Sequence, residues 1–387
     1  MKKIYLFIIL IFISAINLYS EESKNIQNNA AQSINNFDDK LFLQLCNQNQ
    51  NVNYSAISIY SLLYALEKGS KDETYNQIKN ALNTTESKAF ENQLQQIFLE
   101  TQNMTNSIWY KNTLLLQKSY NQFAKDFGFL LKPTDFTKTS KTRKTINSFI
   151  SKKTNKLIEN FLSQALDRQT QIALLNTLYF EQKWKTPFEK NYTFDQDFFE
   201  NSKTKISVEM MHNTKNFPYF EDDDFQAVEL FYKNSRYSMI VFLPKTLEYD
   251  FSNIKPSKLL QNYYSNHREK EVRLSLPKFD LKSKYDLVPI LKKLGISDAF
   301  DFGKANLSKI FLENQNLFVD SALHEVRIQV NEKETKAAAV TMIGVKSAGF
   351  SPNKTVVFNA DHSFFYVIRD NQLNINLFTG IVRKPEL

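Results

Sequence analysis

A chain of 387 residues, 42% of them hydrophobic, holds ample apolar material for a large core. That excludes a disordered, collagen-like or disulfide-stapled chain. The formal charge of +8 comes from 49 Lys and Arg dispersed among 41 Asp and Glu, without the basic, aromatic-interleaved block that a nucleic-acid groove needs.

In chain order, Met1-Lys2-Lys3 precedes an apolar run of 15 residues from Ile4 to Leu18, followed by Tyr19-Ser20 and Glu21-Glu22. The run is shorter than the roughly 20 residues that span a bilayer and has the layout of a secretory signal peptide. The expectation is a signal peptide at 1–20, a polar leader at 21–36 and one domain over 37–387, in a protein secreted or exported to an extracellular or periplasmic compartment. Cys46 is the only cysteine, so no internal disulfide can form in any compartment.

From Asp38 the apolar spacing is helical, with Phe42, Leu45 and Cys46 on one face. A buried helix is predicted at 58–66 and amphipathic helices at 73–82, 87–102, 119–126, 142–153 and 156–162. The pattern then turns to strands. Residues 172–180 form an apolar run suited to a strand buried on both faces, 217–231 and 237–243 are strand-like, and 272–276 alternates as a strand with one wet face. A helix at 286–294 ends at Gly295, a residue suited to a helix C-terminus. Residues 326–330 alternate again, and 364–378 carries two short strands. Helices first and strands later predict one α+β domain.

Between Val330 and Val356 about 25 residues show no helical period, a length that is usually functional when it is not disordered. Read as a strand, 335–347 has one parity free of charge (Thr335, Ala337, Ala339, Thr341, Ile343, Val345, Ser347), while Lys336 and Lys346 fall on the other. The segment is equipped either to be an exposed loop that can become a strand or to be a permanent strand.

Several motifs in order resemble the serpin family. Val330-Asn331-Glu332-Lys333-Glu334-Thr335-Lys336-Ala337-Ala338-Ala339 is similar to the serpin hinge, Phe358-Asn359-Ala360-Asp361-His362-Ser363-Phe364-Phe365 to the C-terminal signature, and Leu377-Phe378-Thr379-Gly380 to the closing strand. Asn51 to Ile59, Leu175 to Phe180 with Trp184, Val208 to Met211, Phe242-Leu243-Pro244 and Leu276 to Phe279 fit in sequence. Each motif alone is weak; their order over nearly the whole chain is specific.

The resemblance implies three β-sheets, about eight or nine helices and an exposed reactive-centre loop at about 332–356. It implies a metastable inhibitor of serine-type endopeptidases, active as a suicide substrate, that traps the acyl-enzyme by inserting its cut loop into the main sheet; the other serpin role is that of a non-inhibitory carrier, chaperone or adhesion factor. It places the hinge at Glu332, Glu334, Thr335, Ala337, Ala338 and Ala339, and a polar shutter under the opening strands at Ser55, Ser58, Asn176 and His324. Trp184 would stand at the breach where the hinge enters. The family's usual loop length puts the reactive bond at Ala348–Gly349, which suits an elastase-like protease; an offset loop would offer Lys346 or Phe350. A cysteine protease is a further possible target, and a monomer is expected.

Departures from the family pattern are Glu334 where Gly is usual before the hinge threonine, Asn155 where Gly is common, and Ser363 where Pro is usual. Asn tolerates the left-handed conformation that such a Gly would serve. No enzyme, cofactor or metal chemistry is expected. There is no G-x-S-x-G elbow or H-E-x-x-H, and Asp361-His362-Ser363 reads as adjacent strand residues facing opposite ways. The helix at 87–102 has Lys88 as its only base, so no heparin site is indicated there.

Overall fold

The computed structural model describes residues 30–46, 50–312, 317–332 and 355–386. Helix α1 (30–45) opens the described chain, with Ala30, Ile34, Phe37 and Leu41 buried along one face. The end of the predicted polar leader is therefore packed helix: its few apolar side chains fall at helical spacing, which polar composition masked. Helix α2 (Ala56–Gly69) starts where the Ser55 side chain accepts from the Ser58 backbone N–H and is buried on nearly every face. It is the central helix of the molecule. Helices α3 (Asp72–Leu82), α4 (Lys88–Glu100) and α5 (Lys118–Asp126) pack around it.

The strands form two hydrogen-bonded sheets. The larger has nine strands: β1 (Val52–Tyr54), β5 (Thr193–Phe199), β6 (Lys205–Glu221), β7 (Phe225–Phe231), β8 (Tyr237–Pro244), β9 (Arg268–Pro277), β12 (Val356–Asn359), β13 (Phe364–Asp370) and β14 (Ile375–Val382). Its path runs β1-β14-β13-β8-β7-β6-β9-β12, with β5 on the free side of β6. The 17-residue β6 joins β5, β9 and β12 to the rest, so two of the three expected sheets are continuous. Close packing at the β1–β14 pair explains Gly380: a Cβ there would lie 2.4 Å from the Val52 carbonyl oxygen. Helices α7 (Pro256–Asn266) and α8 (Leu287–Lys293) complete the set, and Gly295, at φ 89°, ends the turn after α8 as its position predicts.

The smaller sheet has the order β10-β11-β4-β2-β3, made of β10 (Phe279–Asp286), β11 (Ser321–Val330), β4 (Ile172–Tyr179), β2 (Met104–Lys111) and β3 (Leu130–Thr134). Every residue of β4 is buried, as its unbroken apolar run predicts. Helix α6 (Thr139–Lys153) packs on one face through Ile146 and Ile150, against Trp109, Ala173 and Leu175; the α2 side packs on the other.

Residues 156–162 are not the predicted helix. Asn155, Lys156 and Asn160 have φ of 48°, 64° and 55°, left-handed values that break a helix. The segment is an irregular strap: Lys156 and Leu157 N–H make turn bonds to the Ser151 and Thr154 carbonyls, and side chains take further backbone groups.

Candidate functional site

The site is the seam between β4 and β11. These strands are direct parallel neighbours over Ser321–Arg327 and Ala173–Tyr179, so no strand stands between them. Alternation turns Asn176 and His324 towards α2, and Leu175 and Leu323 towards α6.

The four predicted shutter residues meet here. The Ser55 backbone N–H donates to His324 Nε2 at 3.1 Å, so the ring proton sits on Nδ1, which donates to Asn176 Oδ1 at 2.5 Å. Ser58 Oγ donates to the same Asn176 oxygen at 2.8 Å, and Asn176 Nδ2 donates back to the Ser58 carbonyl at 3.1 Å. Burial lowers the His324 pKa to about 3, so the ring is neutral and joins helix α2 to both seam strands. Asn106 of β2, not foreseen, extends the cluster. It accepts from Asn176 Nδ2 and donates to Ser61 Oγ at 2.6 Å, and it lies in register with Asn176, which lies in register with His324. Its signal was available: a lone amide in a strand whose neighbours bury.

At the C-terminal end of β11, Trp184 Nε1 donates to the Asn331 carbonyl at 2.9 Å, and the ring stacks on Tyr232 with centroids 4.4 Å apart. The Phe188 N–H donates to the Glu332 carbonyl at 2.8 Å. Glu332 is buried, and its carboxylate lies 3.6 Å from Lys278 Nζ, which also pairs with Glu209 at 3.0 Å. Trp184, the expected breach residue, thus holds Asn331, while Phe188 and Lys278 hold Glu332, the first of the expected hinge residues. Lys278 lies within a quoted motif and Phe188 close after Trp184, but their roles here were missed, as was Tyr232, because the fold brings Tyr232, Lys278 and Glu332 to Trp184 from separate stretches of the chain. The remaining hinge residues Glu334, Thr335, Ala337, Ala338 and Ala339, the reactive-bond residues Ala348 and Gly349, and the alternatives Lys346 and Phe350 lie outside the described residues, as does the signal peptide.

The strap covers the other face of the seam. Asn155 Nδ2 donates to the Tyr179 hydroxyl on β4 at 3.0 Å, Arg327 of β11 donates to the Leu157 carbonyl at 2.9 Å, and Lys284 of β10 donates to the Phe161 carbonyl. Arg327 is itself held by a two-pronged pair with Asp280, at 2.9 and 2.6 Å. Asn155 adopts the left-handed conformation expected of it, at φ 48°. The strap is thereby tied to both sides of the seam.

The reading of Asp361-His362-Ser363 needs one correction. These residues are not in a regular strand, and His362 Nδ1 does meet Asp361 Oδ1 at 2.8 Å. The other ring nitrogen is engaged 2.8 Å from the Pro244 carbonyl rather than with Ser363, so the three do not form a nucleophile–base–orienter chain. Cys46 is buried, as its apolar setting predicts, and burial raises its thiol pKa.

Comparison with known proteins agrees with this architecture. The family model described as Serpin (serine protease inhibitor) matches residues 32–385. Human Serpin B4 is 32% identical over 369 residues, covering 87% of this chain and 94% of its own, and pig plasminogen activator inhibitor 1 is 30% identical over 384 residues, covering 94% of each. A serpin-like protein of Thermococcus kodakarensis is 29% identical over 92% of this chain and 85% of its own. Among solved structures, a tumour-suppressing serpin superposes with a TM-score of 0.82 at 23% identity, over 93% of this chain and all of that one. Human thyroxine-binding globulin does so at 0.84 and 22%, over 94% of this chain and all of that one. With the motifs in order, the seam intact and the family model matched almost end to end, the chain belongs to the serpin family.

Proposed function

We propose that the protein inhibits serine-type endopeptidases by the suicide-substrate route, with Ala348–Gly349 as the bond offered and an elastase-like enzyme as the favoured target. The observation that carries this reading is the direct parallel pairing of β4 and β11. A chain leaving the end of β11 and folding back enters such a seam antiparallel to both neighbours, which satisfies the ladder on each side. The hinge leaves from Glu332, just past the end of β11, where Trp184 holds Asn331 and Lys278 pairs with Glu332. Insertion of the 13 residues 335–347 adds about a dozen ladder hydrogen bonds, on the order of 10 kcal/mol before packing. While the loop is intact its ends are tied and the state is held by a barrier. Attack forms an acyl-enzyme, cleavage frees the hinge, and the inserting strand drags the tethered protease before water can release it. Insertion must part the Ser58–Asn176–His324 network and displace the strap.

Glu334 favours a second reading, a non-inhibitory serpin whose loop is cut without trapping, because an acidic side chain stands where the hinge must begin to enter. Incubation with elastase-, trypsin- and chymotrypsin-like proteases separates the two. The inhibitor gives an SDS-stable complex and a C-terminal peptide starting at Gly349. Cleavage with no complex for any of the three enzymes establishes the second reading.

A further inference from the structure

The end of the smaller sheet opposite the hinge joins apolar tips to cations. β4 starts there at Ile172, β11 starts there at Ser321, and β2 ends there at Lys111. The Lys111 N–H donates to the Gln171 carbonyl at 2.8 Å, and the Asp320 N–H to the Ile172 carbonyl at 2.9 Å. Two segments at this end run side by side. Leu116 and Phe311 form an antiparallel bridge, the Leu312 N–H donates to the Leu115 carbonyl at 2.8 Å, and the Gln117 N–H to the Ile310 carbonyl at 2.8 Å. Alternation buries Phe311 and turns Leu115 and Leu312 outward, 59% and 58% exposed. Phe302, 62% exposed, stands on the neighbouring loop, which is held where the Val319 N–H donates to the Ala299 carbonyl, just before β11.

Beside the two leucines lies a groove of about 360 Å³. Its lining has three lysines (Lys68, Lys71 and Lys309), two serines (Ser119 and Ser308) and no acid. Gln117 makes groove and leucines one surface, since its side chain donates to the Ser308 and Phe311 carbonyls at 3.4 and 3.3 Å. Lys68 is paired with Glu91 at 3.2 Å. Lys71 and Lys309, with Lys111 and Lys118 flanking the leucines, are exposed and form no ion pair among the described residues. The acids at this end lie outside the groove. Asp72 accepts from Asn306 Nδ2 at 2.7 Å, Asp301 pairs with Lys304 at 3.7 Å, and Asp320 accepts from the Gln171 and Ile172 N–H groups at 2.9 and 3.0 Å.

We infer that this end is a docking surface for an anionic phospholipid membrane, with headgroup phosphate in the lysine groove and Leu115 and Leu312 at the acyl boundary. Cations at headgroup level beside apolar tips are what an interfacial surface requires. A soluble anion would fill the groove and leave both leucines in water. A nucleic acid would find no free ring, because the Tyr120 hydroxyl is bonded to the Ala65 carbonyl at 2.9 Å and Phe123 packs on Phe127 at 4.6 Å. A few apolar tips also fall short of the roughly 800 Å² per partner of a stable protein interface. No helix among the described residues is long and apolar enough to cross a membrane, so attachment through this end is peripheral. It also sets an orientation. The hinge leaves from the far end of the ten-residue β11, about 33 Å from the lipid, and so faces solvent. None of this depends on whether the protein traps proteases.

Sedimentation of the intact full chain is measured with vesicles of phosphatidylcholine mixed with phosphatidylserine, and of phosphatidylcholine alone, at low and moderate salt. Two variants stand beside it: one carries Leu115→Ser and Leu312→Ser, the other Lys71→Gln, Lys118→Gln and Lys309→Gln. All five side chains are exposed, so both variants should melt close to wild type. The expected result is salt-sensitive binding to the mixed vesicles that each variant weakens about tenfold or more. No binding, equal binding to phosphatidylcholine alone, or binding that either variant leaves unchanged overturns the inference. Both variants keep Ile4 to Leu18, so adsorption through that run shows as binding that neither weakens. Loss in the lysine variant alone, with inorganic phosphate competing, identifies a soluble-anion groove and also overturns it.

Discussion

His324 shows how a buried titratable group becomes structural. Desolvation lowers its pKa from 6.5 to about 3, so the folded protein binds fewer protons than the unfolded chain between those values. Its contribution to stability is complete above about pH 6.5 and is lost as pH falls towards 3. Lowering the pH from 7 to 4 should cost on the order of 3 kcal/mol from this residue. Denaturant midpoints for wild type and His324→Gln should diverge above pH 6.5 and converge near pH 4; a constant gap would refute the assignment. Glu67 has the opposite sign. It is buried, accepts from Thr84 Oγ1 at 2.8 Å, and burial raises its pKa to about 7. Stability from the protonated form is present below about pH 4.5 and lost as pH rises through 7. Glu67→Gln keeps an acceptor without a charge and should stabilise the protein at pH 8 by about 1–3 kcal/mol, read as a higher melting temperature that vanishes near pH 4.

At the scale of the element, the seam is two strands that alternation splits into unlike faces. The α2 face has a few polar groups that satisfy one another, and the α6 face has Ala173, Leu175 and Leu323 beneath the helix. In the insertion reading, a strand entering between β4 and β11 buries its charge-free parity, where Ala337 and Ala339 are small, and turns Lys336 to the other face. Ala337→Arg would bury an unpaired charge at a cost of several kcal/mol. The expected outcome is conversion from inhibitor to substrate, seen on gels as cleavage without the SDS-stable complex. A variant that still forms the complex would refute the hinge assignment. The elements also show the reach of pattern reading. The β4 run and the α8–Gly295 stop were legible because burial and backbone geometry act locally. The strap was misread as helix because Lys156 to Leu162 has helical spacing, whereas left-handed Asn155, Lys156 and Asn160 break the helix and the ties to β4, β11 and β10 hold the segment on the sheet.

At the scale of the molecule, a single cysteine leaves stability to packing, and the intact chain is read as held by a barrier short of its lowest state. Nicking the loop should then raise the melting temperature by more than 10 °C, since about 10 kcal/mol of ladder hydrogen bonding is gained. Scanning calorimetry of cleaved and uncleaved protein checks this, and an unchanged transition would refute the insertion reading.

The amino-acid order by itself determined the α+β class, the buried central strand and helix, and the family, because ordered motifs and burial periods are properties of the chain read locally. It also named Ser55, Ser58, Asn176 and Trp184, each within a quoted motif, and His324 through the family resemblance. The tertiary structure alone decided that Asn106 completes the polar cluster, that Tyr232 and Lys278 steady the breach, and that a strap crosses the seam. These depend on strand order and register, which bring together residues as far as 170 positions apart, as in Arg327 on Leu157, and no local period encodes such distances.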